Sequence, residues 1–261
     1  MIIGKKSVIM LLCALMVISS AAFGTVAYLT DRAGLTNRFT VGNVDIAVDE
    51  TMVDKDGNPV SNPDYDPDDP DEADRPNLRT ESMNEYPLVP GGEYTKDPTM
   101  TIRAGSAESY VRMMVTISNA SQIEAIFADL KDKHPQDYAD GFVPGAFVTE
   151  RNNAVWIRTG TMTRDETLNT YTLEFRYFKP VKPGDAEDLV LEPLFETIRF
   201  PGDLTNAHLS QLTDFFIDID GHAIQTIGFD NADEAWTAFD AQLTADATTN
   251  DGAGDTGSVK P

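Results

Sequence analysis

Two kinds of side chain in this sequence could do chemistry, its clustered acids and its histidines. Asp54-Lys55-Asp56-Gly57-Asn58 resembles the start of a calcium loop, in which a tight turn gathers oxygen ligands for a hard cation. Asp64, Asp66 and Asp68 follow closely and add carboxylates. The expected cofactor is therefore at most calcium, held by Asp54, Asp56, Asn58, Asp64, Asp66 and Asp68. The match is partial: glycine comes one position early for an EF-hand, and no glutamate closes the loop. A solvated acidic loop explains the same residues. The three histidines, His134, His208 and His222, are far apart, and none has a second histidine one helical turn on. A zinc hydrolase of the HExxH type needs that pair and a glutamate base. No serine sits in a nucleophile-elbow motif. The single cysteine, Cys13, lies in an apolar run near the N-terminus. From residue types and spacing, no catalytic residue is expected.

The elements that must position these residues are mostly strands. Phe39, Val41, Val44, Ile46 and Val48 alternate, with a step at Gly42-Asn43 that reads as a turn or bulge. Thr99 to Ile102 and Val111 to Ile117 alternate with period two. So do Val155 with Ile157, Tyr171 to Tyr177, and Phe215 to Asp220. Such runs, divided by Gly, Pro, Asn and Asp, predict a mainly β protein: an antiparallel jelly-roll-like β-sandwich. Two or three short flanking helices are expected. Ser121 with Glu124, and Asn231 with Glu234, have capping-box spacing. A third helix is expected near 205–212. Residues 50–85 contain repeated prolines and aspartates that oppose both helix and collapse. They read as an acidic insertion between strands, and the polar tail 244–261 predicts disorder.

The N-terminus gives a destination. Lys5 and Lys6 precede an apolar run from Val8 to Phe23, and Thr25-Val26-Ala27 puts small residues before Tyr28. This is a secretory signal peptide over residues 1–27, with Thr25, Ala27 and Tyr28 around the cut. The mature domain then spans residues 28–243, has no cysteine and must be stabilised by packing without disulfides. The chain carries 43 acidic against 20 basic residues, a formal net charge of −23. That charge repels nucleic acid and anionic membranes, and it favours solubility outside the cell. A secreted or cell-surface location is expected, with no membrane contact after cleavage.

Gly24-Thr25-Val26-Ala27-Tyr28-Leu29-Thr30-Asp31, followed by Thr36-Asn37-Arg38-Phe39-Thr40-Val41-Gly42-Asn43-Val44, resembles the N-terminus of the TasA/camelysin family of Gram-positive bacteria. Tyr86-Pro87-Leu88-Val89-Pro90-Gly91-Gly92 with Lys96-Asp97-Pro98-Thr99 is similar to that group's central segment. Ala223-Ile224-Gln225, Gly228-Phe229 and Glu234-Ala235-Trp236 are similar to its closing segment. The resemblance implies export through the signal peptidase SipW and a jelly-roll sandwich. It also implies self-association into fibres of the biofilm matrix, or association with other matrix proteins. In such fibres the N-terminal segment of one subunit supplies a strand to the next. Here the donor residues would be Leu29, Phe39, Val41, Val44, Ile46 and Val48; the other reading of the same alternation is a first strand of the chain's own sandwich. Camelysin-type relatives also imply a metalloendopeptidase as an alternative. A monomeric surface module that binds calcium through its acidic loop is a third reading.

Overall fold

The computed structural model describes residues 30–34, 38–41, 43–66, 68, 76–143, 147–149 and 151–250. The expected signal peptide, with Thr25, Ala27 and Tyr28, lies outside the described residues, as do Leu29 and the tail beyond Asn250.

Among the described residues the regular structure is mainly strand, arranged in three antiparallel sheets. The largest has the order β2 (Arg38–Val41), β1 (Thr30–Gly34), β13 (Ile217–Gln225), β7 (Ser109–Ile117), β10 (Thr170–Tyr177) and β9 (Trp156–Asp165). A second has the order β11 (Leu189–Val190), β6 (Thr99–Ile102), β3 (Ile46–Thr51) and β4 (Arg79–Thr80). The third joins β5 (Glu93–Thr95), β12 (Thr197–Arg199) and β8 (Val148–Thr149). Buried side chains from all three sheets join one core, which makes a β-sandwich.

Register explains why the core forms. Leu173 lies opposite Val115, and Val115 opposite Ile219; Tyr171, Ile117 and Ile217 form the next row. These residues share one face because strand side chains alternate. All six are at most 6% exposed. Across the core, Ile46 opposes Ile102 and Val48 opposes Met100, and all four are buried. Cross-strand apolar rows of this kind are the unit that stabilises a sheet.

Several expectations change. Where a turn or bulge was expected, the chain changes sheet: β2 belongs to the six-stranded sheet and β3 to the four-stranded one. In β9 the inward phase falls on Trp156, which is buried and donates its indole N–H to the Glu192 carbonyl at 2.8 Å, while Ile157 is 45% exposed. Residues 50–85 are largely folded. A hairpin closes at Val53↔Pro59, and β4 returns to pair Glu50↔Thr80 and Thr51↔Arg79. The second capping-box acid and the polar tail fared differently from expectation as well. The C-terminal helix continues to Asn250, past the expected boundary at 244.

Among the described residues three helices flank the sheets: α1 (Ala120–Lys133), α2 (Asn206–Leu209) and α3 (Ala232–Asn250). The expected box at Ser121 is absent. The cap is Asn119, in a left-handed conformation with no side-chain cap bond. Glu124 instead accepts from the Tyr171 hydroxyl and from Arg164 Nε at 3.0 Å, which ties α1 to β10 and β9. At α3 the acceptor is as expected, with Asn231 Oδ1 taking the Glu234 N–H at 3.0 Å. Glu234 then reaches one residue further back, to the Asp230 N–H.

Burial pushes the Tyr171 hydroxyl up to about 12, reinforced by its bond to Glu124. Tyr138, burying its ring and donating to Asp203, is likewise pushed up to about 12. Unfolded tyrosine titrates near ~10. The folded state therefore holds protons that the unfolded state loses, so this stability is complete below pH ~10 and drains away as pH rises towards 12. Urea unfolding at stepped pH should show that decline, and Tyr171→Phe should make it shallower. A decline unaltered by Tyr171→Phe would contradict the assignment.

Candidate functional site

The densest polar constellation lies where β3 ends. Parity along β3 sends Ile46, Val48 and Glu50 to the core side and Asp49 and Thr51 to the other. Glu50 is 2% exposed, and its Oε2 accepts from Lys96 Nζ at 2.5 Å; Lys96 is also 2% exposed. The second oxygen, Oε1, accepts from Asn84 Nδ2 at 2.8 Å and from the Asn84 backbone N–H at 3.3 Å. Asn84 Nδ2 also donates to the Thr51 carbonyl at 2.8 Å, and its Oδ1 accepts the Val53 N–H at 3.0 Å. Donors and acceptors thus fix which way the amide points. Tyr86 stacks over the group, with Lys96 Nζ 5.7 Å from its ring centre. Its hydroxyl donates to the Thr95 carbonyl, and burial pushes its titration well above the ordinary tyrosine range. A cleft of about 640 Å³ opens beside Lys96, walled by Leu88, Phe200, Phe215 and Phe216.

On the outward side, Arg79 from β4 bridges two acids. It meets Asp49 Oδ1 at 2.7 Å and contacts Asp97 through its other nitrogen. Asp97 in turn accepts from the Thr51 N–H at 2.6 Å and the Thr51 hydroxyl at 2.8 Å. These two carboxylates hold the Arg79 guanidinium above its ordinary value despite its burial. Both sides of β3 are therefore clamped to the 79–97 segment by charge.

A second cluster lies on the outer face of the six-stranded sheet, under α3. Arg112 and His222 are directly opposite each other on β7 and β13, and Arg112 Nε donates to His222 Nδ1 at 3.1 Å. His222 Nε2 must then carry the proton, which it gives to Asp220 Oδ2 at 3.0 Å. The Arg112 guanidinium reaches both Asp240 oxygens on α3 and lies 4.4 Å from the Trp236 ring and 5.1 Å from that of Phe239. Stacking of a desolvated guanidinium on aromatic faces adds about 2 kcal/mol. Ile224, Ala235, Trp236 and Phe239 complete a small apolar cluster there.

The residues singled out from the sequence are not gathered into one site. Asp54 Oδ1 accepts the N–H groups of Asp56 and Asn58, both at 2.9 Å, so it caps its own turn. The Asn58 N–H holds the Asp54 carboxyl below its usual range. Asp64 donates its N–H to Asn62, and Asp68 donates its own to Asp66. Among the described residues, no three acids or histidines stand together as a metal site. The histidines are in three places: His134 caps α1, and His208 pairs with Asp129 at 2.8 Å. Of the donor-strand residues, Val44, Ile46 and Val48 are buried in the chain's own core, while Phe39 and Val41 lie on β2. Sequence reasoning missed Glu50, Asn84 and Lys96. One signal was present: Glu50 is a charge at the apolar phase of an alternating strand.

Comparison with family models, with curated proteins and with solved structures finds no match to this chain.

Arg112→Ala should remove the link between α3 and the sheet. Leaving a buried polar group unpaired costs about 3 kcal/mol. Hydrogen exchange should accelerate throughout 232–244 before it changes in β10. Equal protection of α3 in the variant and the parent would refute the link.

Proposed function

We propose that this chain is an exported structural protein of the cell surface or extracellular matrix, which assembles by exchange of its N-terminal hairpin. The observation that carries this reading is the position of that hairpin. β1 and β2 pair with each other from Thr30↔Val41 to Ala33↔Arg38. Among the described residues, only β1 connects the hairpin to the rest of its sheet, through β13 from Thr30↔Ile224 to Gly34↔Asp220. The chain then crosses to the other sheet at β3. The hairpin can therefore transfer as a unit onto β13 of a second copy. Exchange replaces each pairing by an identical one, so it costs little beyond chain connectivity. Where each subunit gives its hairpin to one neighbour and receives one from another, the contact is head-to-tail and extends as a filament.

The resemblance of residues 24–44 to the TasA/camelysin family supports the same reading. It also supports release of the hairpin by SipW at Ala27-Tyr28. In this scheme the strand is β1 with β2, and the earlier set narrows: Phe39 and Val41 travel with the hairpin, whereas Val44, Ile46 and Val48 stay in the core. The acidity of the chain suits a soluble extracellular module.

Size-exclusion chromatography and negative-stain microscopy of the chain starting at Tyr28 test this. Oligomers or filaments are expected. Deletion of residues 28–36 should abolish them, and a peptide of residues 28–41 should bind the deleted protein. A parent that stays monomeric at high concentration, or filaments that survive the deletion, would sink the proposal.

A further inference from the structure

Glu50 places an amine and a carboxamide on the two oxygens of one buried carboxylate. Lys96 Nζ contacts Oε2 at 2.5 Å, and Asn84 Nδ2 contacts Oε1 at 2.8 Å. We propose that Lys96 and Asn84 become joined by an intramolecular isopeptide bond, with Glu50 as the proton carrier. No other copy of the chain and no enzyme are needed, because the three groups are brought together by folding itself.

The chemistry balances at these atoms. Glu50 Oε2 takes a proton from the Lys96 ammonium, which frees the amine lone pair. Nζ attacks Asn84 Cγ, and the new charge gathers on Oδ1. That oxygen already accepts the Val53 N–H at 3.0 Å, a fixed backbone donor where an oxyanion would form. Glu50 passes its proton through Oε1 to Nδ2, the Cγ–Nδ2 bond breaks, and ammonia leaves. Glu50 then accepts the remaining proton from Nζ and yields it to the ammonia. One ammonium ion departs, one amide replaces another, and the carboxylate returns to its starting form. No oxidant, reductant or metal takes part.

The surroundings suit the reaction. Lys96 and Glu50 are each 2% exposed, so the amine and its proton acceptor are largely withdrawn from water even though a cleft opens beside them. Tyr86 covers the group, and the Thr51 carbonyl holds the departing nitrogen at 2.8 Å. Holding amine and amide against one carboxylate supplies the proximity that an intermolecular reaction lacks. The bond would cross-link the return segment at 84 to the residue that follows β5, giving a disulfide-like brace to a mature chain in which no cysteine is expected. The inference does not depend on the assembly proposed above.

Intact-mass spectrometry of the folded chain should find it one ammonia lighter than its sequence requires. Tryptic digestion should fail to cut after Lys96 and should yield a branched peptide containing both Lys96 and Asn84. Asn84→Ala should restore the full mass and the cut after Lys96. Asn84→Asp can form the same bond by losing water, so its linked product should match the linked parent in mass. Glu50→Gln should keep the full mass that its own sequence requires and remain cleavable after Lys96. A folded parent at full mass with Lys96 cleavable would overturn the proposal. So would loss of ammonia without a branched peptide, since an asparagine cyclised on its own backbone gives the same mass change.

Discussion

The ion pair between Lys96 and Glu50 is the constraint around which one end of this sandwich is arranged. Two opposite charges, each 2% exposed, cannot be left incomplete. Desolvating them costs several kcal/mol apiece, and only close pairing with further hydrogen bonds offsets it. The excursion after β3 supplies those bonds. It leaves the sheet at Thr51, closes a hairpin at 53–59 and returns through β4 to deliver Asn84 to Glu50. Arg79, arriving on the same return, bridges Asp49 and Asp97 on the opposite side of the strand. A segment whose composition opposes collapse is thereby held at both ends by polar contacts in place of apolar burial.

The outer face of the six-stranded sheet follows the same rule. Arg112 stands on the polar phase of β7 yet is only 3% exposed, because α3 covers it. Its three nitrogens make four contacts, to His222, Glu174 and both Asp240 oxygens, and its plane lies against Trp236 and Phe239. A helix whose own sequence is rich in polar residues gains a fixed seat from one guanidinium and a small apolar cluster. Among the described residues, no helix is long and apolar enough to cross a membrane.

The enclosed cations leave the acidity of the surface in place. Lys96 is buried with Glu50, and Arg79 is enclosed with Asp49 and Asp97, so these cations are neutralised by their own acids and a chain of formal charge −23 presents a mainly acidic exterior. Repulsion between such surfaces disfavours indiscriminate association. Backbone pairing at sheet edges is insensitive to that repulsion over its short range. An acidic subunit that associates through a strand would therefore do so in few geometries, at sheet edges such as those that β2 and β9 form among the described residues.

Much of the fold was legible in the sequence. The alternation of Val111, Met113, Val115 and Ile117, and of Tyr171, Leu173 and Phe175, determined those strands and their inward faces. The spacing of Ile123, Phe127 and Leu130 determined the buried stripe of α1. Such patterns are local, since side-chain direction repeats every two or 3.6 residues whatever lies opposite. What packs against a face is not local. The sequence could not say that the chain switches sheets between β2 and β3, that Arg112 meets a helix more than a hundred residues away, or that Glu124 serves Tyr171 in place of a helix cap. It likewise could not assemble Glu50, Asn84 and Lys96, which come from three separate elements. Only the tertiary structure decided these, because a charged side chain's partner is set by which surfaces meet, and pairing across sheets depends on the whole chain at once.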